Sequence, residues 1–274
     1  MLAVELEGVS KWFGENLALD NISMVIEEGQ SVLLLGPNGA GKSTLLRCIL
    51  GIIDFKGRIS VLGLDVRKHG REVRRHVGYV PQNIRYQEGF SVMELVDHVS
   101  DIKGVDVFLD ESLSQFRLED MAYAKVGSLS SGMRQRLAIS LALIGDPQLL
   151  ILDEPFNNLD PVARNRLSEL LGDMARRGKT VVVSVHTMSG LIHSFDGVAV
   201  LNGGRLVKMM KAEEVVRVAR PVYKIHIRVE EGWRTYNTEN LFATLKELEE
   251  GGYDVSSAWI EEPDAEELLR TIIG

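Results

Sequence analysis

The chain lacks several features that mark secreted, membrane-spanning or nucleic-acid-binding proteins. It has 274 residues and a single cysteine, Cys48, so it cannot form an intrachain disulfide. Its formal net charge is -8 at pH 7, which gives no general attraction to a phosphate backbone. These absences fit a reducing compartment, and we expect no nucleic acid among the partners. For Cys48 we expect a buried apolar environment rather than a reactive thiol.

Long apolar runs are also absent. No stretch approaches the roughly 18 to 20 apolar residues that a membrane-spanning helix needs. The longest runs, such as residues 149–152 and 181–183, have the length of strands. Residues 1–14 lack the basic and apolar regions of a signal peptide. If the protein serves a membrane, we expect another chain to span it.

Strand patterns that alternate with helix patterns occupy most of the chain. Residues 2–9 and 22–26 alternate apolar and polar side chains, which predicts paired antiparallel strands. The later alternation of strands and helices predicts a parallel α/β core. Further strands are predicted at 31–35, 57–62, 77–80, 149–152 and 180–185, helices at 42–50, 132–144 and 161–177, and a hairpin at 198–208.

The pattern divides the chain into a main domain and a small extension. Residues 1–211 form the predicted main domain, and its helical stretch at about 84–145 is expected to be an insertion into the α/β core. Glutamate becomes frequent after Lys211, so residues 212–274 are predicted to form a small α+β extension. Its predicted elements are strands at 222–229 and 254–260 and helices at 240–250 and 264–273.

A glycine-rich loop between a strand and a helix carries the clearest chemistry. It fits the pattern G-x-x-x-x-G-K-[ST], in which glycines let backbone N–H groups approach phosphate oxygens and the following helix presents its positive end. We expect Lys42 to reach the β- and γ-phosphates of a nucleotide and Ser43 to bind Mg²⁺. The predicted loop residues are Gly36, Pro37, Asn38, Gly39, Ala40, Gly41, Lys42, Ser43 and Thr44.

Two acidic residues follow a second apolar strand. The run at 149–152 continues into Asp153 and Glu154. Asp153 is a candidate for holding Mg²⁺, and Glu154 for activating an attacking water as a general base. Taken alone, the same pattern also fits a strand that ends in two solvated acids.

A third motif gives the sequence a specific resemblance. The segment Leu-Ser-Ser-Gly-Met-Arg-Gln-Arg at 129–136 lies between the phosphate loop and the acidic pair, and it resembles the LSGGQ signature of the ABC ATPases. Ser130 and Gly132 match that form, whereas Ser131 and Met133 depart from it. In the family the matching residues contact the γ-phosphate bound to the opposite subunit. Ser130 also suits the N-cap of an ordinary helix, and both roles are compatible.

Other positions resemble the same family in the expected order. Gln82 resembles the Q-loop glutamine near Mg²⁺ and the attacking water, Asp160 the D-loop aspartate at the subunit interface, and His186 the switch histidine at the γ-phosphate. In isolation these residues also fit a surface turn, a helix N-cap and a structural histidine.

An aromatic pair near the N-terminus resembles the family's adenine-stacking loop. The segment is Trp12-Phe13-Gly14, and its spacing to Gly14 favours Phe13 as the stacking ring. Trp12 is the competitor, since either ring offers a stacking face, and packing in the fold is the alternative for both.

The resemblance covers about residues 2–210. It implies a P-loop NTPase fold, with a RecA-like α/β core, an antiparallel β part and a helical subdomain. It also implies ATP and Mg²⁺ as cofactors, with Mg²⁺ at Ser43, Gln82 and Asp153, and hydrolysis assisted by Glu154 and His186. The implied partners are a second ATPase subunit, identical or paralogous, in a head-to-tail dimer, and a separate transmembrane permease at the cytoplasmic face of the membrane.

Several functions remain open from the sequence. The segment at 129–136 resembles exporter ATPases of drug or antibiotic efflux more than importer ATPases. A soluble ABC ATPase of DNA repair or translation is a second possibility, although such proteins often carry coiled-coil insertions or two cassettes. A small-molecule P-loop kinase would explain the phosphate loop but not the signature, Asp160 or His186. The transported substrate and the role of the extension are not determined by the sequence.

Overall fold

The computed structural model describes residues 1–105, 113, 116–157, 159–186, 192, 194–218, 223–229 and 232–261. The predicted helix at 264–273 lies outside these residues. The described strands, in chain order, are β1 Leu2–Phe13, β2 Asn16–Glu27, β3 Ser31–Leu35, β4 Lys56–Val61, β5 Leu64–Asp65, β6 Val77–Val80, β7 Leu149–Asp153, β8 Thr180–Val185, β9 Gly197–Asn202, β10 Arg205–Lys211, β11 Tyr223–Val229, β12 Gly232–Thr238 and β13 Trp259–Glu261. The described α-helices are α1 Lys42–Ile49, α2 Val66–His76, α3 Val92–Lys103, α4 Ser131–Leu143, α5 Pro161–Arg176, α6 Ala212–Val218 and α7 Leu241–Glu250.

The central sheet has six strands in the order β10-β9-β3-β8-β7-β6. All neighbours in it are parallel except the edge pair β9 and β10. Every residue of β3, β7 and β8 is buried, as expected for strands that are covered on both faces. The register pairs Leu35 with Val185 and Asp153 with Ser184. The residues that follow β3, β7 and β8 therefore lie together at the carboxyl ends of these parallel strands.

Two hydrophobic cores enclose this sheet. One lies against α3, α4 and α5, and the other joins the opposite face to α1 and to an antiparallel sheet of order β2-β1-β4-β5. Cys48 belongs to the second core, where burial raises the pKa of its thiol to about 12. This confirms the expected buried, apolar environment of the cysteine.

Two short elements of the antiparallel part were not predicted. Strand β5 has only two residues, which is too short for a periodic pattern. Helix α2 buries only Val66 and Val73 and is otherwise mostly charged, so it shows little of the apolar repeat that marks a helix.

The predicted helical segment at 84–145 is helical in two described stretches, while its residues 106–112 and 114–115 lie outside the described residues. It contains α3, which begins with a capping box formed by Ser91 and Glu94, and α4. Between them, Leu113 is helical, and the helical elements of residues 116–130 are two short 3-10 turns. Phe116, Leu118 and Val126 are nevertheless buried in the core. Over residues 116–128 the predicted helical pattern is therefore wrong, because the irregular backbone there also turns these apolar side chains inward.

The C-terminal part forms a three-stranded antiparallel sheet of order β12-β11-β13 with α7 packed on one face. Its core contains Ile225, Ile227 and Leu248. The strand predicted at 254–260 is wrong over most of its length, because the Asp254 side chain caps a 3-10 turn at Val255–Ser257. The unpredicted β12 is polar and mostly exposed, so its sequence does not show a buried face.

Helix α6 falls within the residues predicted to form the extension, 212–274, but it packs with the main domain. Ala212 and Val215 are buried in the core of the central sheet. The division at residues 211 and 212 stays a prediction, and this packing favours a boundary after Val218.

Helix α4 crosses β6 at a glycine. A Cβ atom at Gly78 would lie 2.1 Å from the carbonyl oxygen of Ala142 and 2.8 Å from Cδ1 of Leu150. The close approach of α4 to the sheet therefore depends on the missing side chain.

We predict that Gly78→Ala lowers the free energy of unfolding by about 1 to 3 kcal/mol, because the added methyl forces α4 away from β6. Gly89→Ala is the matched control, since a Cβ there meets no atom within 4 Å. Urea denaturation of both variants measures the difference. Equal stabilities would contradict the close packing.

Candidate functional site

A cleft of about 760 Å³ opens at the carboxyl ends of strands β3, β7 and β8 of the central sheet. This is the usual location of a ligand site in an open α/β sheet. The cleft is lined by Phe13, Asn16, Leu17, Ala18, Asn38, Gly39, Ala40, Gly41, Lys42, Ser43, Thr44, Gln82, Glu154, Asn157, His186, Gly203 and Gly204.

The phosphate loop connects β3 to α1 along a route that requires glycine. A Cβ atom at Gly36 would lie 2.4 Å from the carbonyl oxygen of Leu201. Gly41 has a φ of 99°, in the left-handed region, at the N-cap of α1. Helix α1 begins at Lys42, so the positive end of its dipole faces the cleft.

Lys42 is buried at the base of the loop. Its Nζ donates to the carbonyl oxygens of Gly36 at 2.6 Å and Pro37 at 3.0 Å. It lies 3.8 Å from Oε1 of Glu154. Burial lowers the pKa of Lys42, although the charges of Glu154 and Asp153 oppose that shift. The ammonium group of Lys42 is thus surrounded by oxygen atoms beside the cleft.

Asp153 ends β7 and is fully buried. Its Oδ1 accepts a hydrogen bond from Oγ of Ser184 at 2.6 Å. Its Oδ2 is buried and has no hydrogen-bond partner within the part of the chain that the structure describes. A free carboxylate oxygen and the hydroxyl of Ser43 in the cleft are the type of ligand that Mg²⁺ prefers, so these residues fit the ion.

Glu154 adopts an unusual backbone conformation, with φ at 52°. Its N–H donates to Ser184, to the carbonyl oxygen at 3.2 Å and to Oγ at 2.9 Å. The side chain is turned into the cleft, where Oε2 accepts from Nε2 of Gln82 at 3.0 Å and from Nδ2 of Asn157 at 2.9 Å. Nδ1 of His186 lies 3.6 Å from the same oxygen. Together with Lys42, four polar side chains thus surround the Glu154 carboxylate. Of these, Lys42, Gln82 and His186 were predicted as site residues and Asn157 was not.

Two residues of this arrangement escaped sequence reasoning. Asn157 contacts the Glu154 carboxylate, and Ser184 links Asp153 to the Glu154 backbone. The position of Asn157, three residues after Glu154, was the available signal. For Ser184 the signal is a polar residue that interrupts the apolar run of β8.

The aromatic pair is divided between two environments. Phe13 lines the cleft, together with Asn16, Leu17 and Ala18 of β2, which the sequence analysis did not identify. Trp12 is not among the described residues that line the cleft. A lysine Nζ lies near each ring, Lys11 at 4.9 Å from the Phe13 centroid and Lys56 at 4.8 Å from the Trp12 centroid. The arrangement favours Phe13 as the stacking residue, and this assignment stays a prediction.

The signature residues Ser130 and Gly132 are not among the described residues that line this cleft. Ser130 is the N-cap of α4, and its Oγ accepts from the N–H of Met133 at 3.2 Å. The Ser130 side chain is exposed, as is that of Ser131. The N-cap role is therefore present, and a contact with the nucleotide of another subunit stays a prediction.

Asp160 is the N-cap of α5, where Oδ1 accepts from the N–H of Ala163 at 2.9 Å. Its carboxylate also pairs with the Arg136 guanidinium of α4. The Ala163 N–H, and to a lesser degree Arg136, lower the pKa of Asp160. One residue earlier in α4, Nε2 of Gln135 donates to the carbonyl oxygen of Pro155 at 3.0 Å. Helix α4, which contains most of the signature segment, is called the signature helix below. Its consecutive side chains Gln135 and Arg136 thus both contact the segment that follows β7.

The structure brings most of the predicted site residues together, whereas their catalytic roles stay predictions. Phe13, residues 38–44, Gln82, Glu154 and His186 line one cleft, with Asp153 connected to it through Ser184. Ser130, Gly132 and Asp160 instead lie at the starts of α4 and α5.

Comparison with known proteins agrees with this geometry. The model of the family described as ABC transporter matches residues 19–157, about half of the chain. The Nod factor export ATP-binding protein I of Rhizobium sp. (strain N33) is 40% identical over 210 residues, which cover 74% of this chain and 69% of that protein. The protein of the same name from Rhizobium etli is 37% identical over 222 residues, covering 79% of this chain and 70% of the relative.

Solved structures give the same result. An ATP-binding subunit of an ABC transporter superposes with a TM-score of 0.74 at 28% identity, covering 78% of this chain and 92% of that one. A dimeric ATP-binding cassette in a post-hydrolysis state, bound to ADP and Pi, gives a TM-score of 0.70 at 26% identity, covering 76% and 98%. Among the described helices, none combines the length and apolar character needed to cross a bilayer. The predicted family and the P-loop NTPase fold are confirmed: the chain belongs to the ABC transporter family, in which it is an ATP-binding subunit.

Proposed function

We propose that this chain hydrolyses Mg-ATP as one half of a head-to-tail dimer and thereby drives an exporter through a separate permease subunit. The observation that carries the proposal is the Glu154 carboxylate, which faces the cleft beside Lys42 and is held by Gln82 and Asn157. A carboxylate in this place suits the activation of water next to a bound γ-phosphate.

The proposed reaction depends mainly on positioning and charge. Lys42 and the N-terminus of α1 hold the β- and γ-phosphates, while Phe13 stacks on adenine. Ser43, Asp153 and Gln82 would hold Mg²⁺, which would neutralise charge on the phosphate oxygens. Glu154 accepts the proton of the attacking water, and His186 contacts the γ-phosphate from the end of β8.

A second subunit completes each site in this proposal. Ser130 is exposed at the N-terminus of α4, where backbone N–H groups and the helix dipole favour an anion. The similar cassette solved as a dimer with ADP and Pi supports this arrangement. The second subunit is a copy of this chain or a paralogue.

The names of the similar proteins support the direction of transport. The relatives at 40% and 37% identity are named for Nod factor export. We propose export here as well, with the chain bound to the cytoplasmic face of the membrane by its permease. The exported compound is a matter for the permease and is not part of this proposal.

The catalytic part of the proposal predicts that Glu154→Gln reduces the ATPase rate by at least about a hundredfold, because an amide cannot accept the proton of the attacking water. The affinity for ATP, measured by equilibrium titration with Mg²⁺, is expected to stay within about twofold, since the amide keeps the shape of the side chain. Glu249→Gln, an exposed change on α7, is the control and should have neither effect. Normal turnover in Glu154→Gln would disprove the role of this residue.

The adenine-binding part predicts different results for the two aromatic residues. Phe13→Ala is expected to weaken ATP binding about tenfold, in line with the loss of roughly 1 to 3 kcal/mol of stacking. Trp12→Ala, the matched control, is expected to change the affinity less than twofold. A larger loss in Trp12→Ala would transfer the stacking role to that residue.

The transport part predicts copurification of the affinity-tagged chain with a membrane protein of several spanning helices when both are expressed in their native cell and extracted in mild detergent. Mass spectrometry of the eluate identifies the partner. Recovery with ribosomes or DNA-repair proteins instead would contradict the transport part and favour a soluble ABC ATPase.

A further inference from the structure

Helix α4 connects the signature to the loop that follows β7 in the same chain, which begins with Glu154 and ends at Asp160. It begins directly after Ser130, and Gln135 lies five residues further along the chain, which corresponds to about 7.5 Å of helix rise. A single rigid element therefore carries both the residue that faces the partner's nucleotide in the proposed dimer and the residue that contacts the loop after Glu154.

The contact of Gln135 is buried and specific. Its side chain is only 4% exposed, and Nε2 donates to the carbonyl oxygen of Pro155 at 3.0 Å. Proline has no N–H, so this carbonyl is the only backbone group through which Pro155 can form a hydrogen bond. Losing the donor would leave a buried carbonyl without its partner.

The loop needs such support because its first residue is strained. Glu154 has a φ of 52°, a region that costs a residue with a side chain on the order of 1 kcal/mol or more. The Glu154 N–H is held by Ser184 on one side, and the carbonyl oxygen of the next residue, Pro155, is held by Gln135 on the other. The direction of the Glu154 side chain thus depends on both.

The other end of the loop is held by the next residue of α4. Arg136 pairs with the Asp160 carboxylate, and Asp160 caps α5. Two consecutive side chains of the signature helix therefore hold the beginning and the end of the segment 155–160.

We propose that Gln135 is a positioning residue for Glu154 and that, together with Arg136, it transmits the occupancy of the signature at Ser130 and Gly132 to the catalytic carboxylate of the same chain. This inference rests on the proposed function. Its consequence is that ATP bound by the partner and contacting α4 controls hydrolysis in the cleft of the chain that contains this α4.

The first test is Gln135→Met, which keeps the length and burial of the side chain but removes the donor. We expect kcat to fall about tenfold while the ATP affinity stays within about twofold. Ser140→Ala is the matched control, because it removes another buried hydrogen bond of α4, from Oγ to the Arg136 carbonyl oxygen, away from the loop. Equal kcat values in Gln135→Met and Ser140→Ala would overturn the proposal.

A double-mutant cycle tests the transmission itself. Ser130→Gly removes the signature hydroxyl while keeping a residue that is accepted at an N-cap. Because Ser130 also contacts the partner's nucleotide directly in the proposed dimer, part of its effect does not pass through Gln135. Transmission along α4 therefore predicts that the loss of kcat in the double variant with Gln135→Met is smaller than the product of the two single losses. If the two fold-changes multiply, the residues act independently and α4 transmits nothing.

A separate variant covers the case in which Gln135→Met does not fold. Arg136→Gln changes a partly exposed residue at the other end of the loop, and we expect it to lower kcat severalfold without a change in ATP affinity. An unchanged kcat there would overturn the proposal. Failure of the proposed function can be distinguished from failure of this inference. If the proposed function is wrong, Glu154→Gln retains its ATPase turnover, whatever the result of the double-mutant cycle.

Discussion

The hydroxyl of Ser184 is the point on which the geometry of the site depends. It donates to Asp153 and accepts from the N–H of Glu154, so a single atom of β8 fixes both the last residue of β7 and the residue that follows it. This is possible only because β7 and β8 pair in parallel with Asp153 opposite Ser184. The same strand pairs on its other side with β3, which leads into the phosphate loop. A shift of β8 by one residue would turn the Ser184 side chain to the other face of the sheet, away from Asp153.

The consequence of this register is that opposite charges are buried together next to the cleft. Lys42, Asp153 and Glu154 are all buried, and each would be costly alone in this environment. They compensate one another in part, while the carbonyl oxygens of the phosphate loop and the amides of Gln82 and Asn157 satisfy further hydrogen bonds. Among the residues that the structure describes, Oδ2 of Asp153 is the buried atom of these three groups that has no hydrogen-bond partner, and a cation would complement it.

Much of this could be predicted from the sequence, because the strongest signals are local. Strand β3, the loop and α1 are contiguous, and the apolar run before Asp153 is long enough to read as a strand. Ser184, Asn157 and Gln135 could not be predicted in the same way, since their importance lies in partners that are brought near by the fold. Helix α2 and strand β12 were missed for the opposite reason: they bury so few residues that hydrophobic periodicity, the main signal, is weak in them.

The departures of this chain from the usual signature are consistent with an intact cap. The N-cap hydrogen bond joins the Ser130 hydroxyl to the backbone N–H of Met133, so it does not depend on which side chain residue 133 carries. Met133 uses its own side chain to pack against the main core, and the Ser131 side chain is exposed. Neither replacement therefore changes the start of α4. The part of the signature helix that does depend on side-chain chemistry lies later, at Gln135 and Arg136, where the hydrogen bond to Pro155 and the pair with Asp160 require a donor and a cation.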